Sequence, residues 1–143
     1  MKMYISSMKK IILIILLTPL FIHSQKSINY KELNTGVYLG PDIIIFPGAS
    51  FLWGKTIYYD NNILLDYEAG LAFPTLITAK LGFGIGNNNK AGIIGFRPWP
   101  TSLYLQYNFN KKRIFSIEFM VPYRSNFTTG MKWPIILNYG WRW

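Results

Sequence analysis

Two carboxylates, Asp66 and Glu68, stand two residues apart in the segment Ile63–Phe73. Residues spaced by two lie on one face of a β-strand, so this pair could do acid and base chemistry or bind a divalent cation. Lys80 follows in the next segment, where a hairpin would bring it close to the carboxylates. An ion pair is the simpler interpretation of the three side chains, and a functional acidic site is the alternative.

The residue types that most nucleophilic and zinc chemistry requires are nearly absent. The chain has no cysteine, and its single histidine, His23, lies in a segment that we expect to be removed. Thiol nucleophiles, imidazole bases and ordinary zinc sites are therefore not expected. Gly82, Gly84 and Gly86 lie within a predicted strand, so they indicate close packing rather than a phosphate-binding loop. We expect a protein that is not an enzyme and that has no cofactor and no metal.

Residues 1–24 have the pattern of an export signal. Lys2, Lys9 and Lys10 precede the apolar core IILIILLTPLFI, and Ser24 is a small residue at a plausible cleavage position. This core is shorter than the roughly 18 apolar residues that a membrane helix needs, although an uncleaved anchor is the alternative. The initiating residue, Met1 or Met8, is left open. Removal of the signal would leave twelve bases and six acids, because it contains three lysines and no acid.

The rest of the chain alternates apolar residues with small or polar ones, which is typical of β-strands with two different faces. The clearest segments are 63–73, 78–86, 102–109, 114–123 and 131–143, and the less clear ones are 36–46, 49–59 and 91–99. In 49–59 the face to which Lys55 belongs is left open. Eight tilted strands of about 9–11 residues with short connections would fill residues 36–143. Residues 25–35 are polar and are predicted to be a periplasmic lead-in.

The connections between these segments are of two alternating kinds. Asn-rich or Lys-rich tight turns are predicted at 60–62, 87–90 and 110–113, and proline-bearing connections at 46–48, 73–75, 98–101 and 122–130. In an up-and-down meander every second turn emerges at the same end. We therefore predict an all-β fold, an antiparallel up-and-down transmembrane β-barrel of about eight strands. The Asn/Lys turns would be periplasmic and the proline connections extracellular.

The composition of the polar face favours a membrane barrel over a soluble one. A soluble lipocalin-like carrier would cover its outer face with charges, whereas here the polar face is mostly small, as at Gly82, Gly84 and Gly86. Small residues suit the narrow interior of an eight-stranded barrel. The predicted interior ion-pair cluster is Asp66, Glu68, Lys80, Arg97, Glu118, Lys132 and Arg142. We interpret it as a structural plug, with a narrow channel or small-solute binder as the alternative.

The final segment carries the most specific pattern of the chain. Its apolar positions alternate up to the last residue: Ile135, Leu137, Tyr139, Trp141 and Trp143. This pattern resembles the C-terminal assembly signal of small eight-stranded bacterial outer-membrane β-barrel proteins. The export signal before Gln25 and the stretch GFRPWP (residues 95–100) resemble such proteins from Bacteroidetes-type bacteria. The resemblance covers residues 36–143 as architecture, and the usual terminal residue there is Phe rather than Trp.

The resemblance implies an outer-membrane location, contact with outer-membrane lipids and recognition by the barrel assembly machinery. The expected function is that of a non-catalytic structural protein or an accessory subunit of a larger outer-membrane complex. The alternatives are the channel or small-solute binder and the soluble periplasmic carrier. A basic exported chain meets no nucleic acid, so anionic lipid headgroups are its expected counter-charge.

Overall fold

The computed structural model describes residues 26–40, 45–121 and 134–143. The strands are β1 (Lys26–Leu39), β2 (Ile45–Tyr58), β3 (Ile63–Phe73), β4 (Leu76–Gly86), β5 (Lys90–Trp99), β6 (Ser102–Phe109), β7 (Arg113–Met120) and β8 (Ile135–Arg142). Each strand pairs antiparallel with the next, and β8 pairs with β1, so the sheet closes. The predicted all-β, antiparallel up-and-down barrel of eight strands is confirmed. Among these residues, no helix is long and apolar enough to cross a membrane.

The prediction of a lead-in at residues 25–35 is wrong, because β1 begins at Lys26 and pairs with β2 over its whole length. The alternation there is hard to recognise because the outward side chains near its start are the polar Asn29 and Lys31. The connection predicted at residues 46–48 is also wrong, since β2 begins at Ile45. Pro47 is tolerated because β2 is paired only with β1 at that point; its pairing with β3 starts at Ala49.

The two faces of the sheet differ as the alternation predicts. On β3 the side chains of Leu64, Asp66 and Glu68 are buried inside the barrel, while the residues between them face outward. On β2, Leu52 and Thr56 are buried inside the barrel. Because neighbouring residues of a strand point to opposite faces, Lys55 lies on the outer face, which answers the question that the sequence left open. The predicted export signal, the loop at 122–130 and the start of the last segment at 131–133 lie outside the described residues.

The barrel has two chemically different ends. The Asn/Lys end carries the turns after β2, β4 and β6, and both Asn62 and Asn110 adopt left-handed backbone conformations there, with φ of 59° and 54°. Asparagine visits this region more readily than most residues, so tight turns are favoured at these positions. The proline end carries the connections at 74–75 and 100–101.

The interior near the Asn/Lys end is filled by an apolar cluster. Leu64, Ala91, Ile93 and Tyr104 pack together there, with Tyr58 against them. A Cβ atom added to Gly82 or Gly95 would collide with the hydroxyl group of Tyr104. Gly82 therefore makes room for a large ring inside a narrow barrel, in agreement with the packing interpretation.

Candidate functional site in the barrel interior

The charged residues of the strands gather inside the barrel. Six residues of the predicted cluster are buried there: Asp66, Glu68, Lys80, Arg97, Glu118 and Arg142. Lys132 lies outside the described residues. Glu32 of β1 joins them and is fully buried. The described part of the interior thus holds four carboxylates and three cations, which we call the ion network.

Arg142 is the centre of the network at the Asn/Lys side. Its Nη2 lies 2.7 Å from Oε2 of Glu32, 3.3 Å from Oδ2 of Asp66 and 3.9 Å from Oε2 of Glu68. Its Nε also donates to Oε2 of Glu32 at 3.1 Å. The guanidinium group stacks on Tyr30, with its Cζ 3.5 Å from the ring centroid. One side chain therefore satisfies three carboxylates from two other strands.

Neutral side chains also donate hydrogen bonds to these carboxylates. The hydroxyl oxygen of Tyr30 lies 3.0 Å from Oδ2 of Asp66 and 3.1 Å from Oε2 of Glu68. Since a phenol has a single proton, Tyr30 donates to one of them at a time. Thr56 also donates to Asp66, and Asn34 donates to Oε1 of Glu32 at 2.7 Å.

Lys80 connects this centre to the proline side of the barrel. Its Nζ lies 3.3 Å from Oε1 of Glu68 and 3.6 Å from Oε1 of Glu118. Glu118 in turn lies 3.0 Å from Nη2 of Arg97 and accepts hydrogen bonds from Asn138 and Ser102. The ion pairs therefore form one continuous chain that runs from Arg142 to Arg97.

Positive and negative charges are distributed unevenly along the ion network. At the Asn/Lys side, Arg142 is surrounded by three carboxylates. At the proline side, Lys80 and Arg97 share Glu118, and among the described residues Glu68 is the other carboxylate within 4 Å of the Lys80 Nζ. Within the described residues, negative charge is in excess at one side and positive charge at the other.

The carboxylates of Asp66 and Glu68 are engaged in ion pairs. Asp66 and Glu68 stand side by side as the spacing predicts, but the cations Arg142 and Lys80 lie against them. The described residues contain no group of three or more His, Cys, Asp or Glu side chains suited to a metal ion. Because Lys80 and Arg142 already lie against Glu68 and Asp66, the geometry of the carboxylate pair is that of ion pairs.

Sequence reasoning missed two interior residues that matter. Glu32 and Tyr30 lie in the stretch interpreted as a lead-in, yet they share an inward face with Asn34 and Gly36. At spacings of two, Glu32 is followed by Asn34 and Gly36, much as Glu68 on β3 is followed by Gly70 and Ala72. This signal was present in the sequence.

The last strand, β8, closes the barrel by pairing with β1. Ile135, Leu137, Tyr139, Trp141 and Trp143 all lie on the outer face, opposite the buried Gly140 and Arg142. The backbone of Trp143 exchanges two hydrogen bonds with Lys31, at 2.8 and 2.9 Å. The aromatic rings of Tyr139 and Trp141 meet edge to face with centroids 5.0 Å apart. Recognition of this strand by an assembly machinery stays a prediction.

Replacing Tyr30 by phenylalanine should destabilise the barrel by about 1–3 kcal/mol, because Asp66 and Glu68 would lose a buried donor. Denaturant unfolding in detergent, followed by tryptophan fluorescence, measures this loss. The matched control is Tyr67→Phe, since Tyr67 faces outward on β3. Equal stability of the two variants would contradict the role given to the Tyr30 hydroxyl.

Comparisons with protein-family models, with curated proteins and with solved structures found no match to this chain.

Proposed function

We propose that this chain is an integral outer-membrane protein whose barrel is surrounded by lipid and serves a structural or accessory role. The observation that carries the proposal is the apolar outer face. Large apolar side chains are exposed on every strand of the closed sheet, among them Leu33, Trp53, Leu71, Leu81, Ile94, Leu105, Phe115 and Trp141. A monomer in water rarely exposes such a continuous surface, whereas a lipid-facing barrel requires it.

The interior supports the same proposal. A soluble lipocalin-like carrier keeps its apolar residues inside and its charges outside, whereas here the ion network is inside and Leu81 and its neighbours are outside. The distribution of polarity is thus inverted relative to a soluble barrel. This inversion disfavours the soluble carrier more strongly than the strand pattern alone.

A structural role is favoured over a channel because side chains fill the interior at the Asn/Lys side and across the middle. The apolar cluster around Leu64 and Tyr104 occupies the Asn/Lys side, and the ion network crosses the middle. Eight strands enclose a space that side chains can fill completely. We therefore propose a barrel that does not conduct ions.

The proposed orientation places the Asn/Lys end in the periplasm. The export signal predicted at residues 1–24 supports secretion, and the basic side chains of Lys90, Lys111, Lys112 and Arg113 are exposed at this end. Anionic headgroups of the inner leaflet would be their partners.

An accessory role is supported by a shallow apolar depression on the outer face that extends from β3 across β4–β6 to β7 and is lined by Phe83, Gly92, Ile94, Leu105 and Phe115. A Cβ atom on Gly92 would meet nothing within 4 Å, so an apolar segment of a larger membrane protein could approach the sheet closely there. Co-purification in mild detergent tests this role, and recovery of the protein only as a lone monomer would count against it.

The experiment that tests the membrane proposal is cell fractionation combined with heat-modifiable gel migration. The protein should be extracted only with the outer-membrane fraction, and unheated samples should migrate differently from boiled ones because the closed barrel resists detergent. Release of the protein by osmotic shock would overturn the proposal.

Replacing both Trp141 and Trp143 by alanine should reduce the level of folded protein in the outer membrane severalfold. The heat-modifiable band of membrane fractions measures that level. Trp99→Ala is the matched control, since Trp99 is an exposed aromatic residue at the end of β5, a strand that does not pair with β8. Purified double variant should still refold in detergent. Unchanged membrane levels would contradict an assembly role for this strand.

A further inference from the structure

The interior at the proline end of the barrel contains a cavity that the ion network does not fill. Its volume is about 380 Å³, within the range of small-molecule sites. Small side chains of the first three strands create the space, among them Gly36, Ser50 and Ala72. Such a space at the mouth of a β-barrel is a common place for a ligand.

The walls of this cavity are largely apolar. The side chains that line it include Tyr38, Phe46, Phe73, Pro100, Met120 and Ile136. Phe46 and Phe73 are 38% and 62% exposed and stack with ring centroids 6.0 Å apart, so the rim of the cavity is an aromatic surface. The cavity therefore suits an aromatic ring or a short hydrocarbon chain.

Among the described residues, Arg97 is the charged side chain that lines this apolar space. Arg97 is only 6% exposed, yet its ion-pair contact with the described carboxylates is limited to Nη2 and Glu118. Its Nε is buried and has no hydrogen-bond partner within the described residues. A buried guanidinium donor without an acceptor is costly, and an acceptor supplied by a ligand would remove that cost.

The charge of the surroundings favours an anionic ligand. Glu118, the partner of Arg97, is already shared with Lys80 and accepts hydrogen bonds from Asn138 and Ser102. Arg97, at the cation-rich side of the ion network, thus lines the cavity. A carboxylate bound to Arg97 would balance it, whereas a cation would be repelled.

We propose that this cavity binds a small amphipathic monocarboxylate, with the carboxylate group on Arg97 and the apolar part against Phe46 and Phe73. The inference goes beyond the structural role proposed above and does not depend on it. A lipid-embedded barrel could lack this site, and a folded barrel in detergent is enough to detect it.

The test uses the refolded barrel labelled with ¹⁵N at arginine side chains. The chain has four arginines, Arg97, Arg113, Arg124 and Arg142, so the Nε–H signals are few and can be assigned by substitution. Phenylbutyrate is titrated as the probe and phenylbutanol as its neutral counterpart. The Arg97 signal should shift saturably with the acid and not with the alcohol, while the exposed Arg113 should stay unchanged.

Two variants test separately whether binding requires the charge of Arg97 and the free volume of the cavity. Arg97→Gln should weaken phenylbutyrate binding about ten- to a hundredfold, as expected for loss of a charged hydrogen bond. Ala72→Leu keeps Arg97 but fills the cavity, and should abolish binding. Ala69→Leu on the outer face of β3 is the matched control and should bind normally.

Several results would overturn the proposal: no saturable Arg97 shift, equal shifts with the alcohol, or unchanged binding in Ala72→Leu. Should Arg97→Gln not fold, the comparison of Ala72→Leu with Ala69→Leu still decides the question. Failure of binding in a barrel that still shows heat-modifiable migration rejects the site alone. Loss of that migration would concern the fold and the membrane proposal instead.

Discussion

Replacing Arg142 by glutamine is expected to cost the barrel about 3–5 kcal/mol of unfolding free energy, the usual effect of removing one partner from a buried ion pair. Arg142 lies against Glu32, Asp66 and Glu68, and no other cation of the described residues contacts Glu32 or Asp66. Its loss would leave buried negative charge without compensation. Denaturant unfolding in detergent, followed by tryptophan fluorescence, measures the effect.

Two further variants test whether the expected loss of stability comes from the unpaired buried carboxylates. Arg113→Gln removes a cation from an exposed position at the start of β7 and should change stability by less than about 0.5 kcal/mol. Adding Glu32→Gln to Arg142→Gln should restore part of the lost stability, because one unpaired carboxylate becomes neutral. If Arg142→Gln lowers the unfolding free energy as little as Arg113→Gln does, the ion network does not stabilise the interior.

Replacing Leu81 by arginine is the second large effect that we expect. Leu81 lies near the middle of β4, faces outward and is 48% exposed. A charge facing the bilayer midplane costs about 2–4 kcal/mol, so the variant should assemble poorly and unfold at lower denaturant concentration in lipid. A soluble barrel would accept the same charge on its surface at almost no cost.

Asn88→Arg is the control for this substitution. Asn88 is exposed in the turn between β4 and β5, at the Asn/Lys end, where the proposed membrane location would leave a charge in water or among headgroups. It should assemble like the unmodified protein. Equal behaviour of Leu81→Arg and Asn88→Arg in liposomes would argue that the outer face does not meet hydrocarbon.

Much of the fold could be predicted from the sequence because a β-strand repeats with a period of two. Wherever one face is strictly apolar, as on Ile63–Phe73, the strand and its inward residues follow directly. The prediction is wrong for the first strand because this signal is weak there. The outward positions near the start of β1 include the polar residues Asn29 and Lys31 rather than apolar ones.

The candidate site was only partly predictable. The inward position of Asp66, Glu68, Lys80, Arg97, Glu118 and Arg142 follows from alternation. Their partners do not, because they depend on the register of the closed sheet. The contact of Arg142 with Glu32 joins residues 110 positions apart across the closing strand pair. The cavity beside Arg97 depends on the sizes of side chains from six strands, which no single segment reveals.

The central claim is that lipid surrounds the barrel, and spin labelling in liposomes tests it most directly. The chain has no cysteine, so single cysteines can be introduced at Leu81, Leu105 and Phe115 on the outer face and at Asn88 in a turn. The three outer positions should be accessible to oxygen and protected from a water-soluble nickel reagent, while position 88 should show the opposite. Access of the nickel reagent to all four positions would contradict the claim.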